Sequence, residues 1–301
     1  MAESIARLLK TDLTPVEICK FADHEIHIHI ERSIRDKDVY IIESTNNPGH
    51  EYLMELLILI DAAKRASAAR ITCVMPFFGY ARQDRKSRSR EAITAKLVAN
   101  MLTTAGANRI ISADLHADQI QGFFDIPLDH IRGLPIIAEH FKQQNIRDLV
   151  VVSPDQGGIK INREMANRLG APLVIMEKSR SKKKHNTLDD MMILGEVKGK
   201  NIVMIDDEIN TAGTMARACT MLRKAGAKDI RVSCTHAVFA GPAVERLDAC
   251  KLKEIVVLDT ISQEGRKQPK NLTVLSIAPV LATIIDIINT SKPMGIYLDK
   301  L

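Results

Sequence analysis

The chain has 301 residues, a formal net charge of +5 and 46% hydrophobic residues, which allows two domains with cores of their own. Its most apolar run, residues 53–60, is too short to span a membrane and no signal peptide is visible, so we expect a cytoplasmic protein without membrane contact. The five cysteines form no CxxC pair, which favours reduced thiols over disulfides or a zinc site.

Apolar segments of strand length alternate with segments of helix length along almost the whole chain. The predicted strands are residues 39–43, 71–75, 110–113, 149–152, 173–176, 202–205, 230–234 and 255–258. The predicted helices are residues 51–66, 93–105, 136–144, 159–169, 214–225 and 279–288. Such alternation predicts an α/β fold of two doubly wound parallel-sheet domains. We expect an N-terminal domain of residues 1–133, completed by residues 280–301, and a C-terminal domain of residues 134–279.

A repeat at an offset of 120 residues relates the two predicted domains. Residues 101–110, MLTTAGANRI, align with residues 221–230, MLRKAGAKDI, and His116 aligns with His236. In each copy a helix ends at a glycine-containing turn that leads into an apolar strand. We therefore expect the two domains to be duplicates of one fold.

A basic loop, PFFGYARQDR at residues 76–85, follows the second predicted strand. Arg82 is a candidate phosphate ligand because arginine donates paired hydrogen bonds to phosphate oxygens, and Gln83 and the aromatic residues could bind a purine. Two basic clusters cover residues 82–90 and residues 178–184. Charge runs are usually solvated surface and sometimes bind nucleic acid, but neither cluster is interleaved with aromatic residues. Their position after apolar strands favours a polyphosphate ligand over nucleic acid.

Two further loops carry candidate metal ligands. His116 stands in DLHADQIQGFF at residues 114–124, where it could contact magnesium or a triphosphate, although most lone histidines are structural. In SPDQGG at residues 153–158, Asp155 supplies a hard oxygen for magnesium and the glycines permit close approach to a pyrophosphate. A tight turn without a ligand is the alternative for this second loop.

Lys178 and Arg180 follow the strand predicted at residues 173–176 and open a long polar stretch. Mobile loops that carry lysine and arginine can close over a reaction and stabilise the charge on a transferring phosphoryl group. Residues 182–187 could also be a disordered segment without function.

The most informative segment is VMIDDEINTAGT at residues 203–214. Asp206 and Asp207 end an apolar strand, and small residues lead from them into an amphipathic helix. A helix N-terminus at the end of a strand favours a phosphate group, and paired carboxylates suit sugar hydroxyls or magnesium. The segment therefore predicts a pocket for a phosphorylated sugar, the alternative being an acidic pair that only caps the helix.

Taken in order, these segments resemble the phosphoribosyl pyrophosphate synthetases, or ribose-phosphate pyrophosphokinases. Residues 203–214 are similar to the phosphoribosyl pyrophosphate motif of the type I phosphoribosyltransferase fold, and the resemblance runs almost from end to end. Members of this family transfer the β,γ-pyrophosphoryl group of ATP to the C1 hydroxyl of ribose 5-phosphate with the help of Mg²⁺. The resemblance implies the same reaction here, with a cytoplasmic homohexamer built from dimers and no nucleic-acid partner.

The resemblance also implies roles for individual residues. It assigns ATP binding to Phe21, Asp23, His24, Glu25, Arg82, Gln83 and His116, with parts of this site serving a neighbouring subunit. It assigns the metal to His116 and Asp155, and catalysis to Lys178 and Arg180. It assigns ribose 5-phosphate to Arg180, Asp206, Asp207, Asn210, Thr211, Ala212, Gly213 and Thr214.

Two departures from the family pattern bear on activity. Asn210 stands where the family usually has aspartate, and His24 stands where many relatives have glycine. The loop that carries Lys178 and Arg180 is also slightly longer than usual, with SKKKH at residues 181–185. These departures motivate a second hypothesis, in which the chain is a catalytically weak paralogue that regulates active subunits.

Overall fold

The computed structural model describes residues 1–178 and 191–295. The chain divides into two compact units. Unit 1 consists of Met1–Arg132 together with Ser276–Leu301, and unit 2 is Gly133–Leu275.

Unit 1 is built on a four-stranded parallel sheet and a separate antiparallel hairpin. The strands are β1 (Val16–Lys20), β2 (Ile26–Ile30), β3 (Asp38–Ile42), β4 (Arg70–Met75), β5 (Arg109–Ala113) and β6 (Leu128–Ile131). The helices are α1 (Ala2–Leu9), α2 (Gly49–Arg65), α3 (Thr94–Ala105), a 3₁₀ helix (Asp118–Phe123) and the C-terminal α8 (Ala278–Asn289). The sheet order is β3-β4-β5-β6, and β1 pairs with β2 in the hairpin.

Unit 2 contains a seven-stranded sheet with the order β13-β12-β11-β10-β7-β8-β9. Its strands are β7 (Leu149–Ser153), β8 (Leu173–Lys178), β9 (Met191–Leu194), β10 (Asn201–Glu208), β11 (Ile230–His236), β12 (Glu254–Leu258) and β13 (Leu272–Leu275). Its helices are α4 (Leu134–Gln143), α5 (Ile159–Leu169), α6 (Gly213–Lys224) and α7 (Ala243–Ala249). All neighbouring strands are parallel except β8 and β9.

The predicted fold class is confirmed, and the burial of the central strands shows why the sequence specifies it. In β10, the four consecutive residues from Ile202 to Ile205 are fully buried. Parallel strands are covered by helices on both faces, so their sequences are continuous apolar runs rather than alternating ones. Helix α8 returns to unit 1 by packing on α1, and the fully buried Ile284 contributes about 2–3 kcal/mol through its burial.

The helix–turn–strand repeat is present in both units. Helix α3 leads to β5 through Gly106, and α6 leads to β11 through Gly226; both glycines have positive φ, 130° and 84°. The copies differ at the aligned histidines. His116 is exposed in a loop, whereas His236 is buried in β11 and its Nδ1 lies 2.9 Å from the Thr260 hydroxyl.

Five strands escaped the sequence prediction: β1, β2, β6, β9 and β13. The hairpin strand β2 has the sequence IHIHI and alternates between partly buried and exposed residues, so it lacks the apolar run that marks the sheet strands. In the part of the chain that the structure describes, no helix is both long and apolar enough to cross a bilayer.

Candidate active site

The hairpin turn of unit 1 holds the first group of predicted ligand residues. The Phe21 N–H donates to the Glu25 carbonyl oxygen (2.9 Å), and the Glu25 N–H donates to the Asp23 carboxylate (3.2 Å). The side chains of Phe21, Asp23, His24 and Glu25 are all exposed, and the centroid of the Phe21 ring is 5.4 Å from that of His27. His24 has a φ of 70°, a left-handed conformation that glycine adopts without steric cost. The turn therefore keeps its shape with histidine at a position suited to glycine.

The loop after β4 is fixed by Gly79. Its N–H donates to the Thr45 hydroxyl (2.8 Å), and a β-carbon at this position would lie 2.3 Å from the Thr45 carbonyl oxygen, so no other residue fits. Arg82 and Gln83 are exposed beyond this point, and the Gln83 side-chain oxygen accepts a hydrogen bond from the Thr94 hydroxyl (2.6 Å).

The aromatic residues of this loop are not all available to a purine. Phe78 is buried, and its ring packs edge-on against Phe124 with the ring centroids 5.8 Å apart. Phe78 therefore belongs to the core, and the expectation of an aromatic sandwich does not apply to it.

The loop after β5 exposes His116 and rests on a second histidine. The Leu115 N–H donates to Nε2 of His130 (2.9 Å), which requires that nitrogen to be unprotonated. Nδ1 of His130 lies 3.8 Å from Oδ1 of Asp118, and Arg132 donates to the same oxygen (3.3 Å). This support for the His116 loop was not predicted, because His130 and Arg132 lie on β6 and just after it, more than ten residues along the chain.

The two loops of unit 1 lie at one edge of its sheet. Strands β4 and β5 are parallel neighbours, so their carboxyl ends lie side by side. The Gln119 side-chain amide donates to the Asp84 carboxylate (2.9 Å) and ties the loops together. Unit 1 thus brings Arg82, Gln83 and His116 to the same edge of the sheet.

In unit 2, Asp155 lies in the turn after β7. The Gly158 N–H donates to Oδ1 of Asp155 (3.0 Å), and the Ser153 hydroxyl donates to the Asp155 carbonyl oxygen (2.8 Å). One carboxylate oxygen therefore stabilises the turn, as the alternative reading of this loop requires. The charge of Asp155 also raises the pKa of Asp206, which lies on the neighbouring strand β10.

The acidic pair lies within strand β10 rather than after it, which corrects the predicted strand of residues 202–205. Asp206 is opposite Cys234 in the register between β10 and β11, and the Asp207 N–H donates to Oδ1 of Asp206 (3.0 Å). Burial raises the pKa of Asp206 well above its ordinary value, and the neighbouring charges of Asp207 and Asp155 raise it further. A cation or a set of hydroxyl donors near these carboxylates would relieve that repulsion.

The loop from Asn210 to Thr214 ends at an uncapped helix. Ala212 has a φ of 56° and Gly213 begins α6, and no described side chain forms a capping hydrogen bond to the first turn. The first N–H groups of a helix then remain available to an anion, which the helix dipole also attracts. This geometry fits a phosphate group.

Two arginines that the sequence did not reveal flank this helix N-terminus. Arg246 on α7 donates to the Thr211 carbonyl oxygen (2.8 Å). A β-carbon on Gly213 would lie 3.7 Å from Nη1 of Arg246 and 3.9 Å from Nη1 of Arg217. Both guanidinium groups add positive charge beside the N-terminus of α6.

The topology explains why the Asp155 and Asp206 loops are neighbours. The chain passes from β7 to β8 in one direction across the sheet, and from β10 to β11 in the other. Adjacent strands β7 and β10 therefore form a topological switch point, where ligands of open α/β sheets bind.

A buried asparagine, also not predicted, fixes the end of β10. Asn162 on α5 accepts a hydrogen bond from the Ile205 N–H (3.0 Å) and donates to the carbonyl oxygens of Ile205 (2.8 Å) and Gly158 (2.9 Å). Pairing between β10 and β7 ends at Val203, so the Asn162 amide takes the place of the next ladder partner immediately before Asp206.

The remaining predicted residues are only partly within the described chain. The backbone of Lys178 ends β8, where it is opposite Met191 of β9. Arg180 lies outside the described residues. Within residues 1–178 and 191–295, no three His, Cys, Asp or Glu side chains gather in a way that could hold a metal. The carboxylates suit a magnesium ion that arrives with phosphate ligands and water of its own, since Mg²⁺ usually binds one or two carboxylates plus substrate phosphates.

Family models, sequence relatives and a solved structure all place this chain in the same family. Residues 1–106 match the model for the N-terminal domain of ribose phosphate pyrophosphokinase, and residues 127–270 match the phosphoribosyl transferase domain. The ribose-phosphate pyrophosphokinase of Bacillus caldolyticus is 50% identical over 99% of this chain and 94% of its own, and that of Bacillus subtilis is 50% identical over 95% and 89%. The crystal structure of phosphoribosylpyrophosphate synthetase from Mycobacterium smegmatis superposes with a TM-score of 0.90 at 43% identity, covering 96% of this chain and 95% of that one.

Proposed function

This chain belongs to the ribose-phosphate pyrophosphokinase family, and we propose that it transfers the pyrophosphoryl group of ATP to the C1 hydroxyl of ribose 5-phosphate. The products are phosphoribosyl pyrophosphate and AMP, for nucleotide biosynthesis. The observation that carries the proposal is the segment from Asp206 to Thr214, in which paired carboxylates precede an uncapped helix N-terminus flanked by two arginines.

Ribose 5-phosphate fits this segment in one orientation. Its phosphate would accept hydrogen bonds from the first N–H groups of α6 near Gly213 and Thr214, with Arg217 and Arg246 adding positive charge. Its ribose hydroxyls would then donate to Asp206 and Asp207, which would offset the burial and the carboxylate repulsion that raise the pKa of Asp206. Asn210, Thr211 and Ala212 shape the loop between these two groups.

ATP fits the residues of unit 1. The exposed Phe21 ring supports stacking on a base, while Asp23, His24 and Glu25 offer polar groups in the same turn. Arg82, Gln83 and His116 at the edge of the parallel sheet suit the phosphates. In the family resemblance parts of this site serve a neighbouring subunit, and we propose a cytoplasmic homohexamer built from dimers with no nucleic-acid partner.

Magnesium would enter as part of the nucleotide substrate. Asp155 offers carboxylate oxygen and His116 a ring nitrogen, and we assign the metal to these two residues. The bound cation would neutralise charge on the triphosphate.

The reaction requires alignment and charge neutralisation more than covalent chemistry from the protein. The C1 hydroxyl oxygen attacks the β-phosphorus of ATP, the bond between that phosphorus and the α,β-bridging oxygen breaks, and AMP leaves. Lys178 and Arg180 are the residues we assign to the negative charge that develops during this transfer, and Arg180 also to ribose 5-phosphate.

AMP release tests this function directly. Purified protein would be incubated with ATP and Mg²⁺, alone, with ribose 5-phosphate, and with ribose that lacks the phosphate. We expect AMP and phosphoribosyl pyrophosphate in equal amounts with ribose 5-phosphate, and little with ribose, because only the former can occupy the N-terminus of α6. A folded, ATP-binding protein that releases no AMP with ribose 5-phosphate would contradict the proposal.

A further inference from the structure

Unit 2 contains a polar cavity of about 310 Å³ at the end of its sheet opposite to Asp206. Arg231 is the second residue of β11 and Glu254 the first of β12, so the cavity lies at the amino ends of these strands. Its lining residues are Gln144, Arg231, Lys253, Glu254, Asn271, Leu272 and Thr273. The site of the proposed reaction lies at the carboxyl ends of β7 and β10 in the same sheet, so the two are separate.

Arg231 is the unusual group in this cavity. Its side chain is nine-tenths buried, with a relative exposure of 9%. Its Nε and Nη1 atoms are closed off from solvent and have no hydrogen-bond acceptor among the described residues. A buried guanidinium group without a partner is unfavourable, and its field is weakly screened where water is excluded. The cavity therefore attracts a negatively charged group.

Glu254 is opposite Arg231 in the register between β11 and β12, but its carboxylate is engaged elsewhere. It lies 2.9 Å from Nε2 of His140, and it accepts hydrogen bonds from Gln144 (2.8 Å) and from the Thr273 hydroxyl (2.8 Å). Burial raises the pKa of Glu254, but these hydrogen bonds outweigh it and hold the pKa below its ordinary value. Glu254 is thus ionised, and its carboxylate is hydrogen-bonded by donors other than Arg231.

The charge balance of the cavity remains positive. Arg231 and the exposed Lys253 carry positive charge, and Glu254 is the one acidic residue of the lining. Lys253 provides a flexible second cation beside the fixed guanidinium group, a combination suited to the oxygens of a tetrahedral anion. We propose that this cavity binds a phosphate group, held by Arg231 and Lys253, at a site distinct from the one that binds substrate.

Isothermal titration calorimetry with inorganic phosphate tests the proposal on the full-length protein. The variants are Arg231→Met and Lys253→Met, with Arg168→Met and Lys251→Met as controls that remove the same charges from exposed positions of unit 2. We expect wild type and both controls to bind phosphate at this site with the same affinity. Arg231→Met should weaken that affinity at least about tenfold, and Lys253→Met a few-fold. Comparing each variant with wild type isolates this site from any phosphate bound at α6.

Two further measurements make the result decisive. Glycerol 3-phosphate, titrated in the same way, distinguishes free phosphate from a phosphate group on a larger molecule, since either would require Arg231. Thermal unfolding should show that phosphate stabilises wild type more than Arg231→Met. Identical phosphate binding in all five proteins would overturn the proposal. The proposal would also be overturned if wild type bound no phosphate at this site and the Arg231→Met oligomer dissociated. The cavity would then be part of a contact between subunits. If Arg231→Met does not fold, Lys253→Met decides between these outcomes.

Discussion

Replacing Asn162 with alanine should destabilise unit 2 strongly. Its side chain takes the place of the β7 backbone beyond Val203, where the pairing between β10 and β7 ends. The N–H and C=O groups of a strand residue point to the same side, so the Ile205 groups that bind Asn162 have no ladder partner in β11. Asn162→Ala removes three hydrogen bonds and leaves both Ile205 groups buried without a protein partner. At about 1 kcal/mol for each bond, the free energy of unfolding should fall by about 3 kcal/mol.

Urea denaturation followed by far-UV circular dichroism would measure this loss, since the chain contains no tryptophan for fluorescence. Asn167→Ala is the matched control, because Asn167 lies on the same helix but is exposed; we expect a change below about 0.5 kcal/mol. Asn162→Asp separates hydrogen bonding from packing. It conserves volume but places carboxylate oxygen opposite the carbonyl oxygens of Ile205 and Gly158, so it should also destabilise at neutral pH.

The consequence should extend to the substrate site, since Ile205 immediately precedes Asp206. We expect the KM for ribose 5-phosphate to rise in Asn162→Ala and to stay unchanged in Asn167→Ala. If the free energies of unfolding of Asn162→Ala and Asn167→Ala differ by less than about 0.5 kcal/mol, Asn162 does not replace a strand partner of Ile205.

Four further predictions concern single groups. Asp206→Asn should raise the midpoint of thermal unfolding by about 2–4 °C while reducing activity, because it removes a partly buried charge whose pKa is raised by burial and by Asp207 and Asp155; a lower midpoint would contradict this. Burial and the charge of Glu55 raise the pKa of Glu43 to about 8, so the folded state holds a proton that the unfolded state has lost. Stability should then fall by up to about 1.4 kcal/mol per pH unit between about pH 4.5 and pH 8, and Glu43→Gln should flatten that slope in urea titrations; equal slopes would count against it. Lys178→Ala should lower turnover about 100-fold and leave the Kd for ATP unchanged, and normal turnover would remove Lys178 from the chemistry. Asn210→Asp should lower the KM for ribose 5-phosphate about fivefold by making a charge-assisted hydrogen bond, whereas a neutral or harmful effect would show a loop adapted to asparagine.

The sequence predicted the sheet strands because their burial is visible in composition. Each of the eight predicted strands overlaps a strand of the structure, since continuous apolar runs are what buried parallel strands require. Strand β10 is longer than predicted because Asp206 and Glu208 continue the pairing with β11, and hydrophobicity cannot signal a strand that continues through carboxylates. The β1–β2 hairpin was missed for a related reason, since it is largely exposed.

Local sequence determines some parts of the candidate site, and residues distant in the chain determine others. Within residues 203–214, an apolar run followed by carboxylates and small residues is enough to predict the turn and the start of the helix. Asn162 and Arg246 instead act through contacts made by folding: Asn162 lies 43 residues from Ile205 and Arg246 lies 35 residues from the carbonyl group that it binds. An asparagine or arginine on a helix gives no sign in one sequence that it reaches a neighbouring loop.

Three unfavourable features meet in the short segment from Asp206 to Gly213. Asp206 is a partly buried acid beside two others, Ala212 has a left-handed backbone conformation that costs about 1–2 kcal/mol, and the first N–H groups of α6 have no side-chain cap among the described residues. Stability alone would select against each of them, since a neutral side chain, a glycine and a serine or aspartate cap would remove them. A phosphorylated sugar bound as proposed would relieve two of them together, because its hydroxyls would donate to the carboxylates and its phosphate would accept from the helix. Ala212, with its left-handed conformation, lies between these two groups in the chain. The segment is therefore better explained by ligand binding than by folding, and the hydrogen bonds of Asn162 fix the Ile205 backbone immediately before it.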